Sequence, residues 1–181
     1  MEKVAITLFL LVSFSTFAQK YYTKTGNTQF KASVRAFEPV EATNNSTTAI
    51  ININSGEIAS LLFVKAFNFR VALMQEHFNE NYMDSGTFPK ATFKGLISDF
   101  NLSEISNTEK KLSLKGILTV RGVEKEIETL STFSKKEDKL LMVASFGVKP
   151  EDFNIKIPKI VSNKIAGTIN ISLAYEFIEK K

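Results

Sequence analysis

The sequence has no cysteine, no tryptophan, one histidine, four prolines and eight glycines in 181 residues. Without cysteine there is no disulfide, no cysteine-ligated zinc or iron–sulfur centre and no thiol nucleophile. A single histidine excludes any paired-histidine metal motif. So little proline and glycine excludes collagen-like and proline-rich linker chains. No glycine-rich phosphate loop, serine elbow or paired-carboxylate motif occurs. Long apolar runs are also missing after the first eighteen residues, so no later stretch could span a bilayer as a helix. Charge is balanced rather than one-sided: 23 Lys+Arg against 19 Asp+Glu give +4. The bases are scattered as the pairs Lys110-Lys111 and Lys135-Lys136 and the tail Lys180-Lys181. A nucleic-acid binder gathers its bases on one face, so nucleic acid is not expected as a partner.

What is present begins with a leader. Lys3 precedes the apolar run Val4–Val12, and small residues follow as far as Ala18. That order is the pattern of a secretory signal peptide cut after Ala18. It leaves residues 19–181 as one mature domain, exported, and its removal takes one acid and one base, so +4 is retained. With no cysteine after the leader, a lipoprotein anchor is excluded.

The mature chain is dominated by period-two patterning. Ile165, Gly167, Ile169, Ile171, Leu173, Tyr175 and Phe177 alternate with mostly polar or small residues. Leu112, Leu114, Gly116, Leu118 and Val120 do the same, with Gly116 expected to mark a bend or bulge. Further strands are expected over Thr28–Ala36, Ala49–Asn54, Glu57–Lys65, Lys90–Asp99, Glu124–Phe133 and Lys139–Phe146, with Val40–Thr48 as a loop. About eight strands with closely spaced turns predict an all-β fold, a single antiparallel barrel or sandwich. One segment departs from this. Across Val71–Met83, the residues Met74, His77, Phe78 and Tyr82 recur at helical spacing and predict a short helix lying across one barrel opening. Lys149–Asn154, with Pro150, predicts one tight turn.

Three stretches together resemble the YceI-like family. Gly116–Lys125 is similar to its G-x-L-T-[IV]-x-G-V-x-K segment. His77-Phe78, Tyr82-Met83-Asp84 and Phe88–Lys94 resemble its D-x-H-L … F-F-D … Y-P-x-x-x-F region, and Asp152–Ile155 resembles R-x-D-F-G-I. The likeness runs in order from about Thr28 to Phe177. It implies a lipocalin-like barrel of about eight strands and an exported, typically periplasmic protein. It also implies a long amphiphile, such as a polyisoprenoid quinone, bound inside without established catalytic chemistry. Met74-Gln75 stand where the family has Arg-Asp, Pro150 replaces the later arginine and Asn154 its glycine.

No catalytic residue or metal site is expected. His77 lies within reach of Glu80 at i+3, either as a pair at the barrel mouth or, more simply, as a packed histidine beside Phe78. Binding is better supported. Three of the sixteen phenylalanines lie in the leader, and Phe63, Phe67, Phe69, Phe78, Phe88 and Phe93 gather around the expected helix. The candidate ligand-binding residues are Phe67, Phe69, Arg70, Met74, His77, Phe78, Tyr82 and Phe93. Arg70 is the candidate head-group contact, against the plainer expectation of a solvated arginine. The expected partner is an amphiphilic lipid, loaded at a membrane surface; no cofactor is called for beyond a bound lipid or isoprenoid quinone. The oligomeric state is open, a dimer included. Two functions remain: a lipid carrier with an apolar tunnel, or a filled barrel serving as a structural or protein-interaction module. An eight-strand barrel is wide enough for either. An apolar edge near Phe37 or in Val40–Thr48 would favour the second.

Overall fold

Alternating side chains become a barrel because each strand has one apolar face that only closure can bury. The computed structural model describes residues 19–34 and 37–180. The expected leader lies outside them. The strands are β1 (Lys20–Ser33), β2 (Glu41–Asn52), β3 (Glu57–Phe63), a two-residue β4 (Asn68–Phe69), β5 (Lys90–Ile97), β6 (Lys110–Val120), β7 (Val123–Lys136), β8 (Lys139–Val148) and β9 (Ile165–Glu179). Successive strands pair antiparallel from β5 through β9, β9 returns to β1, and β1 pairs β2, which pairs β3 and so reaches β5. Eight strands thus form a closed antiparallel ring, and β4 is a spur on Ala42 and Thr43 of β2. A helix follows the spur: α1 (Ala72–His77) widens into a π turn over Phe78–Tyr82. Among the described residues no helix is long and apolar enough to cross a membrane.

Two sequence expectations are corrected. Val40–Thr48 is not a loop: β2 starts at Glu41, and its inward positions Ala42, Asn44 and Thr47 are small or polar but buried. Asn44 is satisfied there, its Nδ2 donating to the Phe63 carbonyl at 3.0 Å and its Oδ1 accepting from Ser46 N–H at 2.8 Å. Gly116 does not bend β6. It faces Gly95 of β5 in unbroken register, and the ring of Phe93 lies across both. A Cβ at either glycine would come within 2.7 Å of that ring. The pair of glycines is the bed on which Phe93 rests.

The interior divides into two halves along the strands. At one end Tyr21, Ile51, Ile58, Ile97, Leu112, Leu114, Phe133, Leu140, Met142 and Phe177 form a packed core, with Phe100 and Leu102 of the β5–β6 connection closing it. At the other end Phe30, Ala32, Ala42, Leu62 and Phe67 form a smaller buried cluster on the β1–β3 side, while the inward residues of β6, β8 and β9 are only half-buried. In β6 the change falls between Leu114 and Leu118, in β8 between Ala144 and Phe146, in β9 between Tyr175 and Leu173. Three strands losing burial at the same level, on faces that all point inward, place a hollow there.

Candidate ligand cavity

The hollow half is a cavity of about 350 Å³, open at the end where β1–β2, β3–β5, β6–β7 and β8–β9 connect. Its lower wall is shared with the packed core: Phe93, Leu114, Leu173 and Tyr175 belong to both. Its upper wall is formed by Leu118, Val120, Phe146, Ile169 and Ile171 from the strands. Pro150, Phe153, Ile155 and Ile157 add a further apolar surface from the β8–β9 connection. Among the described residues, the basic side chains of the lining are His77 and Lys164, and no carboxylate lines it. An apolar pocket of this size, with its basic groups exposed, fits the interior of an amphiphile and rejects a buried ion.

The seven expected residues Phe67, Phe69, Met74, His77, Phe78, Tyr82 and Phe93 all line the cavity. Arg70 does not; it is exposed in the link between β4 and α1. His77 is exposed at the mouth and, among the described residues, makes no side-chain hydrogen bond or ion pair with Glu80 or any other group. Phe63 and Phe88 also leave the group. Phe63 is half exposed beneath the Lys90 ammonium, 5.5 Å from its ring centre, and Phe88 lies under Arg121 at 5.9 Å.

The helix has no buried residue, so its position depends on the side chains it lowers into the mouth. Met74, Phe78 and Tyr82 are spaced four apart and share that face. Phe78 completes an aromatic group with Phe30, Phe67 and Phe69, at centroid distances of 5.2, 5.7 and 5.0 Å. Phe30 itself meets Phe67 at 5.3 Å and Phe69 at 5.6 Å, edge to face. Sequence reasoning missed Phe30, which sits in a strand far from the helix; its inward position in β1 was the available signal. Gln75 ties the helix back by accepting the Phe69 N–H at 3.2 Å.

A buried polar cluster lies at the floor. The hydroxyls of Thr28 and Tyr175 lie 3.1 Å apart and those of Thr28 and Thr47 2.9 Å apart, all buried. Burial pushes the Tyr175 phenol above its ordinary value, and bonds to Thr28, Ser60 and Thr47 only partly offset this. It is a neutral phenol in a satisfied network.

The segments that carry the family resemblance meet beside the mouth. Arg121 and Gly122 form the two-residue turn between β6 and β7, with φ of 50° and 74°; such turns require positive φ at both positions and match the twist of the strands. Arg121 donates through Nη1 to the Asn154 carbonyl at 2.7 Å, and Lys125 approaches Asp152 at 3.6 Å. Phe88, under Arg121, would clash with any Cβ at Gly122. Arg121 is half-buried in this clasp and Lys125 is exposed. Asn154 replaces the family's glycine at a φ of 57°, where asparagine is the best substitute.

This chain belongs to the YceI-like family. The model of the YceI-like domain matches residues 12–177. No curated protein is similar enough in sequence to count as a match. Among solved structures, a polyisoprenoid-binding domain from Saccharophagus degradans, implicated in plant cell wall breakdown, superposes with a TM-score of 0.77. It is 12% identical, with 90% of this chain and 99% of that one covered. BcnA of Burkholderia cenocepacia gives 0.69 at 16% identity, covering 83% of this chain and 95% of that one. A YceI protein of Campylobacter jejuni gives 0.63 at 17%, covering 80% and 87%. At such identities these likenesses speak for a shared YceI-like barrel.

Proposed function

We propose that this YceI-like protein is an exported, non-catalytic carrier that holds the chain of one long amphiphile, a polyisoprenoid or fatty-acyl lipid, inside the barrel. The observation that carries this reading is the half-filled interior, with an apolar cavity of about 350 Å³ above a packed core. A barrel serving only as a scaffold would gain stability by filling that space. Each ligand methylene buried there is worth about 0.8 kcal/mol, so a tail of some ten carbons is held without a strong polar contact. Lys164 and His77 at the mouth suit a head group that stays near water. The polyisoprenoid-binding domain of Saccharophagus degradans supports the cargo class. The leader-like residues before Gln19 support export, and the periplasm is the compartment proposed.

Native mass spectrometry of protein purified from its own cell envelope, with solvent extraction of the adduct, tests this. A stoichiometric adduct of isoprenoid or fatty-acyl mass is the expected result. Protein that arrives bare, and stays bare after incubation with quinones and fatty acids, would overturn the carrier reading in favour of the scaffold module.

A further inference from the structure

The connection between β8 and β9 has two faces of different character. After the turn Pro150–Phe153, the side chains of Ile155, Ile157 and Val161 line the cavity. Between and beyond them Lys156, Lys159 and Ile160 point to solvent. Ile160 is 86% exposed, more than any other large apolar side chain among the described residues. It stands at the tip of a turn closed by Val161 N–H on the Pro158 carbonyl at 3.0 Å. The protrusion is therefore built into the backbone and does not follow from a lack of neighbours.

Charge follows the same pattern. From Phe153 to Tyr175 there is no acidic residue, while Lys156, Lys159 and Lys164 lie within that span. None of the three has an ion-pair partner among the described residues. The acids that bound the span in sequence are engaged elsewhere: Asp152 with Lys125 at 3.6 Å and Glu176 with Lys139 at 2.8 Å. Two other connections at this end carry one exposed apolar side chain each, Leu73 on the helix and Phe37 beneath the Lys164 ammonium. Acidic side chains at this end, among them Glu38, Glu76, Glu80, Glu124 and Glu151, lie outside residues 153–164, so the flap itself carries only lysine charge. Exposed Lys65, Arg70 and Lys90 add positive charge on the neighbouring connection and strand.

We propose that the flap of residues 156–164 docks the open end of the barrel onto an anionic lipid surface. Ile160 enters the acyl boundary, and Lys156 and Lys159 lie against the head groups. A protruding apolar side chain flanked by unpaired lysines is the combination that an anionic interface binds. The cavity opens at the same surface, so an apolar chain would pass between bilayer and barrel without crossing water. This last step rests on the carrier reading; the docking surface does not.

The test uses the full chain with sedimenting vesicles of phosphatidylglycerol and phosphatidylethanolamine, and with neutral phosphatidylcholine vesicles as the contrast. Variants Ile160→Asp and the double Lys156→Gln/Lys159→Gln alter no residue that lines the cavity. Both share the same N-terminal segment as the unaltered protein, so differences belong to the flap. The unaltered protein should bind the anionic vesicles and be released by salt. Each lysine removed should weaken binding about fivefold, and Ile160→Asp about tenfold or more. Uptake of a soluble fluorescent fatty acid, measured without vesicles, should be unchanged in both variants. Equal binding of Ile160→Asp and unaltered protein, or equal binding to neutral and anionic vesicles, would overturn the proposal. So would normal fatty-acid uptake with no vesicle binding at all, which would hand the surface to a protein partner. Vesicle binding without fatty-acid uptake would leave the docking intact and remove the carrier reading instead.

Discussion

Phe93 and Tyr175 set the floor of the cavity, and each does so through neighbours that leave no alternative position. The Phe93 ring lies on two glycines and can be enlarged only upward. Phe93→Trp is therefore expected to occupy ligand space while changing folding stability by about 1 kcal/mol. Titration with a fluorescent fatty acid should show loading reduced about tenfold, beside a nearly unchanged urea midpoint. Equal loading would mean that the chain does not reach the floor. Tyr175 has a different consequence. Its phenol is held above its ordinary value by burial. In the unfolded chain the phenol ionises near pH 10, and in the folded barrel only higher. The associated stability is whole below the unfolded value and is lost as pH rises above it. Alkaline unfolding should thus begin in the ordinary tyrosine range, and Tyr175→Phe should shift its onset upward. At neutral pH the same variant should cost about 1 kcal/mol for the lost hydrogen bond. Urea unfolding at a series of pH values from neutral to strongly alkaline measures both effects.

At the scale of elements, much of the ring was legible in the sequence because apolar alternation and strand burial have the same period. The segments missed were those whose inward faces are not apolar. β2 runs Glu41-Ala42-Thr43-Asn44-Asn45-Ser46-Thr47-Thr48 before its isoleucines begin, and its buried asparagine and threonines are indistinguishable by type from loop residues. They are tolerated inside because Asn44 bonds the Phe63 carbonyl and Thr47 bonds Thr28. No sequence pattern announces such partners. The start of β1, residues 20–27, was missed in the same way, with Thr23 buried among its inward positions. The helix was legible from Met74, Phe78 and Tyr82, but its π widening was not, since that depends on the bonds Met83 and Ser85 make back to Phe78 and Asn79. The family motif was legible as a string and opaque as a device. Its arginine, lysine, glycine and aspartate clasp the β6–β7 turn to Asn154 and Phe88, outside the cavity. Several of these residues appear together in the sequence for the sake of the rim, while the cavity itself is lined by aliphatic and aromatic side chains of no fixed pattern.

For the molecule as a whole, the division into a packed half and a hollow half was not legible, because the inward residues are apolar in both. Leu114 and Leu118 both point inward on β6, yet Leu114 is buried in the core at the cavity floor and Leu118 is only half-buried in the cavity wall. The difference arises from whether side chains across the barrel meet, which is a property of the closed ring. It has a measurable consequence. Ladder hydrogen bonds run along both halves except between β7 and β8, whose pairing stops at Ser131 and Ala144, and local opening costs less where fewer bonds and apolar contacts are broken. Amide exchange of the empty barrel should therefore be slow around Leu112–Leu114, Phe133 and Leu140–Ala144. It should be faster around Leu118–Val120, Phe146–Val148, Ile169–Ile171 and the helix. A ligand bound only by the closed form adds RT ln(1 + [L]/Kd), so lipid at about 100 times Kd should slow exchange roughly a hundredfold where opening releases the ligand. That slowing should fall on the hollow half and the helix first, because their openings are the ones that uncover the cavity. Uniform protection in the empty protein would show that both halves open together. Faster exchange at the open end, unchanged by saturating lipid, would show that the cavity is a weakness of the barrel and not its binding site.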